Sequence, residues 1–76
     1  MMERVKVKKE YRVEFILEFV GEENTPMHDV RMVNTDQLAN KEAFEKELQR
    51  YFAGINEIPL GKVAINVLKF EQLWFA

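Results

Sequence analysis

Apolar and charged residues take turns along the first quarter of the chain. From Val5 to Val20 the odd positions read Val5, Val7, Lys9, Tyr11, Val13, Phe15, Leu17 and Phe19. Arg4, Lys6, Lys8, Glu10, Arg12, Glu14 and Glu18 hold the even ones, with Ile16 the exception. A period of two puts successive side chains on opposite faces of an extended backbone, so the pattern predicts a long strand over residues 5–20, dry on one face and wet on the other. The polar run Gly21-Glu22-Glu23-Asn24-Thr25-Pro26 has the turn chemistry of a hairpin loop. A second, shorter strand is expected over residues 27–34. It has Val30 and Met32 on one face, Asp29 and Arg31 on the other, and Val33 out of phase.

The period then changes. Phe44, Leu48, Tyr51, Phe52 and Ile55 recur at helical spacing and form one apolar stripe, while Glu42 and Lys46 sit four apart on the wet side. Asn40 is the expected N-cap and Gly54 the expected left-handed C-cap, giving a helix over residues 41–53. Pro59 and Gly61 make residues 55–61 a connecting loop in which Ile58 and Leu60 tuck under the helix. Residues 62–75 alternate again, with Val63, Ile65 and Val67 inward. Past Leu68 the phase slips across Phe70, Leu73, Trp74 and Phe75, which a β-bulge or a strand covered on both faces would explain.

The order β-β-α-β with a right-handed crossover predicts an α+β fold: a three-stranded antiparallel sheet in the order 2-1-3, one helix packed on one face. Lengths then suggest an interface. A strand of residues 5–20 would reach roughly 50 Å, whereas a helix of residues 41–53 covers about 20 Å. The uncovered part would be a two-stranded ribbon carrying Val5, Val7, Tyr11, Phe70, Leu73, Trp74 and Phe75. Such a ribbon is marginal alone, and exposed aromatics on it call for burial against another chain. The alternative for the C-terminal aromatics is a strand end folded back into the core.

Composition changes the picture only in part. With 76 residues, 47% hydrophobic and 32% charged, the chain has the balance of one globular domain near the lower limit for a single core. There is no cysteine, so no disulfide can supplement that core, and nothing requires an oxidising compartment. No apolar run is long enough to span a bilayer or to form the core of a signal peptide, which makes the cytoplasm the default location. The formal charge of −2 is nearly balanced, but Arg4, Lys6, Lys8 and Lys9 make the N-terminal end basic.

Catalytic chemistry finds little to work with. Serine is absent as well as cysteine, the three glycines are scattered, and Glu22-Glu23 in a hairpin loop is a solvated pair rather than an acid/base couple. His28 has Asp29, Glu22 and Glu23 as conceivable co-ligands, but no metal spacing accompanies it, and a polar residue opening an edge strand is the simpler reading. No catalytic residue, cofactor or metal site is therefore expected. Two readings remain. The first is a non-enzymatic interaction module, a homodimer binding a protein partner through the ribbon. Its size suits an accessory or regulatory protein of bacteria or their phages. The second is nucleic-acid binding, with Arg4, Lys6, Lys8 and Lys9 following a phosphate backbone and Tyr11 and Trp74 stacking on bases. Glu10, Glu14 and Glu18 continue the same wet face with the opposite sign and count against it.

Overall fold

The computed structural model describes residues 9–23, 26–36 and 38–73. Strand β1 (Lys9–Phe19) is followed by β2 (Met27–Thr35), helix α1 (Lys41–Asn56), a single 3₁₀ turn (Leu60–Lys62) and strand β3 (Val63–Gln72). The three strands form one antiparallel sheet in the order β2-β1-β3. This is the expected α+β architecture. The N-terminal and C-terminal ends of the expected long strands, residues 5–8 and 74–75, lie outside the described residues.

The alternation in β1 works as its pattern implies. Tyr11, Val13, Phe15 and Leu17 are all buried on the face that receives Phe44, Leu48, Phe52 and Ala53 of the helix. Each fully sheltered Val, Leu or Phe contributes about 1.5–3 kcal/mol, so this layer is the main source of stability. Phe44 lies against Tyr11 and Phe52 against Phe15, so the helix runs in the same direction as β1 and its first turns cover the Lys9 end. Val33, Val63 and Val67 complete the core from the outer strands.

The turn after β1 requires Gly21, whose φ of +87° is the left-handed value for the third position of a type II turn closed by Glu22 N–H to the Phe19 carbonyl. At the helix start, Asn40 is extended (φ −150°, ψ 167°) and its Oδ1 accepts Ala43 N–H at 2.7 Å, as expected of the N-cap. In β3 the slip of phase is a bulge. Glu14 faces Lys69 and Phe15 faces Val67, leaving Leu68 as the extra residue.

Three expectations are corrected. The helix does not stop at Gly54 but continues to Asn56, and Glu57 adopts the left-handed conformation (φ 55°, ψ 45°). There Ile58 N–H reaches the Ala53 carbonyl and Glu57 N–H the Gly54 carbonyl, the paired bonds of a Schellman ending, with Asn56 Nδ2–H donating to the Phe52 carbonyl. Ile58 must reach the core it packs against, which carries the helix two residues past the glycine. The stretch 55–61 is accordingly helix end plus 3₁₀ turn rather than loop, and Leu60 is exposed rather than tucked under. On α1, Tyr51 and Ile55 lie at the margin of the stripe and are exposed, and Ala53 takes the buried place. In β2 the expected grouping holds, with Val30 and Met32 on one face and Asp29 and Arg31 on the other, and the inward positions are Val33 and Arg31. The hairpin register sets Val33 opposite Tyr11 and Arg31 opposite Val13, and Met32 is left 57% exposed. Arg31 tolerates that position because its guanidinium lies over the Tyr51 ring at 4.3 Å and donates to the Tyr51 hydroxyl at 3.0 Å.

Candidate functional site

Of the expected interface residues, Tyr11, Phe70 and Leu73 are described; Val5, Val7, Trp74 and Phe75 lie outside the described residues. Tyr11 is only 7% exposed and is core, not ribbon surface. Its ring meets Phe44 edge-on at 5.2 Å between centroids, and Phe70 closes the cluster at 4.8 Å from Phe44. The reason is the placement of α1: its N-terminal turns, rather than its middle, lie over this end of β1. In the register of β1 with β3, Phe70 lies opposite Val13 and Gln72 opposite Tyr11. Leu73 is half-buried, and its N–H donates to the Glu10 carbonyl at 2.8 Å, so the β1–β3 pairing continues to the last described residue. Of the basic residues Arg4, Lys6, Lys8 and Lys9, only Lys9 is described; it is exposed at the start of β1.

The two edges of the sheet are built differently. At β3 the helix closes the edge. Glu45 Oε2 accepts the outward Val67 N–H at 2.9 Å beside the bulge, and Gln49 Nε2–H donates to the carbonyls of Leu60 (2.8 Å) and Val63 (3.1 Å). A bulge and side chains that take up the free main-chain groups are both ways of blunting an edge.

At β2 there is no bulge, and among the described residues a side chain takes up only one outward main-chain group. Glu10 and Val20 of β1 bond toward β3 and its preceding turn, so by alternation Tyr11, Val13, Phe15 and Leu17 bond toward β2. Their partners Val33, Arg31, Asp29 and Met27 therefore point their main-chain groups inward. His28, Val30, Met32 and Asn34 point theirs outward along an unbulged strand. Among these outward groups only Val30 N–H meets a side chain, the Asp29 Oδ1 of its own strand at 2.8 Å. The segment Met27–Thr35 has no proline, glycine or lysine to discourage strand addition.

The sheet face away from the helix carries Glu10, Arg12, Glu14, Ile16 and Glu18 from β1. Beside them stand His28, Val30, Met32 and Asn34 on one flank and Lys69 and Glu71 on the other. Glu14 is its hub. It accepts a hydrogen bond from His28 Nε2–H at 2.8 Å, sits 3.9 Å from Arg12 and lies opposite Lys69. The His28 hydrogen bond, helped by these positive neighbours, holds the Glu14 carboxyl below the usual glutamate range. His28 thus pairs with Glu14 across the strands rather than with Asp29, Glu22 or Glu23. Among the described residues no group of three or more His, Cys, Asp or Glu side chains is placed to hold a metal ion, and no helix is long and apolar enough to cross a membrane.

Compared with protein-family models, curated proteins and solved structures, the chain matches none. The open β2 edge was not read from the sequence. Its trace was there in Val33, whose break of phase marked the face turned to the core, and in a strand with no proline, glycine or lysine.

Proposed function

We propose that this chain is a small non-enzymatic interaction module of the cytoplasm, self-associating as a homodimer and presenting a surface to a protein partner as an accessory or regulatory protein. One observation carries the reading. The molecule blunts one edge of its sheet and leaves the other, β2, as an open row of main-chain donors and acceptors. Strand addition at such an edge is a general mode of protein recognition, in which main-chain bonds supply affinity and alternate side chains supply selectivity. The exposed Met27 and Met32 support it, because methionine adapts its shape to a partner at little strain. The mixed-sign face around Glu14 offers the protein partner polar contacts of both signs.

Sedimentation velocity from low to high micromolar concentration is the test. A concentration-dependent dimer is expected, and a monomer throughout overturns the reading. Nucleic-acid binding through Arg4, Lys6, Lys8 and Lys9 is the competing outcome. Oligonucleotide binding at low salt that disappears when these four are neutralised would replace the proposal.

A further inference from the structure

The open edge of β2 is complementary to itself. We propose that two copies of the chain pair antiparallel along β2 about a two-fold axis at Val30, joining two three-stranded sheets into one. The inference rests on the self-association proposed above and adds which residues meet, in which register.

Main-chain geometry permits only registers in which outward residues face outward residues, so the axis falls at one of the positions from Val30 to Met32 if most of the strand is to pair. With the axis at Val30, Val30 faces Val30 of the second copy, and His28 faces Met32 in both directions. This makes about six inter-chain hydrogen bonds. On the helix face the same register sets Asp29 directly opposite Arg31 of the second copy, and Arg31 opposite its Asp29. Opposite charges facing each other across paired strands are favourable, and like charges there are unfavourable.

The neighbouring registers lose this match. An axis at Arg31 sets two guanidinium groups side by side. An axis at Met32 sets Arg31 against Val33 and Asp29 against Thr35, with no charge pair on the helix face. Only the Val30 axis makes two reciprocal ion pairs from one self-complementary patch, which is what a two-fold interface requires. The single-chain structure also shows the latch. Asp29 Oδ1 now accepts the N–H of Val30 at 2.8 Å. In the pair that N–H donates to the Val30 carbonyl across the axis, and the Asp29 carboxylate turns to Arg31 of the second copy. Arg31 lies half-buried on the helix face, its guanidinium over Tyr51 and Phe52.

Charge exchange tests the register. Asp29→Arg gives two Arg–Arg contacts and Arg31→Asp two Asp–Asp contacts, so each variant alone should dimerise about tenfold more weakly or worse. Mixed in equal amounts they should recover a heterodimer of wild-type affinity, because every contact is again between opposite charges. The double variant Asp29→Arg/Arg31→Asp should recover the homodimer, and it carries the test if either single variant fails to fold by circular dichroism. Met32→Pro removes an outward N–H without touching the bonds to β1. It should dissociate the dimer while keeping a cooperative thermal melt. If the wild type is a monomer, self-association itself falls. A wild-type dimer whose single charge variants associate normally leaves self-association standing and overturns this register. Failure of both the mixture and the double variant to recover overturns the ion pairs, and a Met32→Pro dimer of wild-type affinity overturns β2 as the joint.

Discussion

Gly54 and Glu57 decide where the helix ends: a substitution at Gly54 changes sign between the two possible endings, and one at Glu57 helps under only one of them. In the structure Gly54 lies within the last helical turn, exposed, and a methyl group added there meets nothing within 4 Å. Alanine loses less backbone freedom on folding than glycine and favours a helix interior by about 0.5–1 kcal/mol. Gly54→Ala should therefore stabilise the protein by that amount. Glu57 holds the left-handed conformation at φ 55°, which costs a residue with a β-carbon about 1–2 kcal/mol. Glycine relieves that strain but gains freedom in the unfolded chain, worth about 0.4–1 kcal/mol against it. The net for Glu57→Gly is a gain of about 0.5 kcal/mol. Urea unfolding at fixed protein concentration reads both. With a slope of about 1 kcal/mol per molar for a chain of this size, the midpoints should rise by roughly 0.5–1 M for Gly54→Ala and about 0.5 M for Glu57→Gly, slopes unchanged. Had the chain turned left-handed at Gly54, alanine there would destabilise by about 1 kcal/mol and glycine at 57 would gain nothing. A lowered midpoint for Gly54→Ala refutes the helix ending described above.

Phe44→Ala removes the ring that joins Tyr11 to Phe70 at a fully buried site. It should lower stability by about 3–5 kcal/mol, a large part of the total for a domain this small, visible as partial unfolding in the far-ultraviolet circular dichroism at room temperature. Glu45→Ala leaves Val67 N–H without its carboxylate acceptor. A loss of about 1–2 kcal/mol is expected, together with new concentration-dependent light scattering as the β3 edge opens, whereas Glu45→Gln should retain most of the protection. Because the folded state lowers the pKa of Glu14, its contribution is complete above the unfolded-state glutamate pKa and fades as the pH falls through the lowered folded value. The melting-temperature gap between wild type and Glu14→Gln should accordingly be widest near neutrality and close in acid; a gap independent of pH would remove the His28 pairing from the account.

The parts of the fold visible in the sequence are those where a single periodicity decides the outcome. Tyr11, Val13, Phe15 and Leu17 can face only one way once their charged neighbours face water, and Phe44, Leu48 and Phe52 supply a facing row at helical spacing. Asn40 was legible because its side chain does its capping locally. The phase of β2 was not, since Arg31 looks like a surface residue until Tyr51 is known to lie beneath its guanidinium. The helix end was misplaced because glycine is a strong local signal, and the tertiary pull of Ile58 toward the core outweighed it. Tyr11 illustrates the same limit at the candidate site. Strand and helix lengths alone do not place the helix along the strand; that position depends on which rings meet, and Phe44 meets Tyr11.

The side chains of Glu45 and Gln49 do more than hold a helix against a strand. By stoppering one margin of the sheet they give each chain a valence of one for strand-to-strand joining. A body with a single such bond to offer can form a pair but never a row, so growth halts after the first union. In the pair proposed above, β2 makes the joint and the stoppered β3 margin is what would keep the assembly from becoming a fibre.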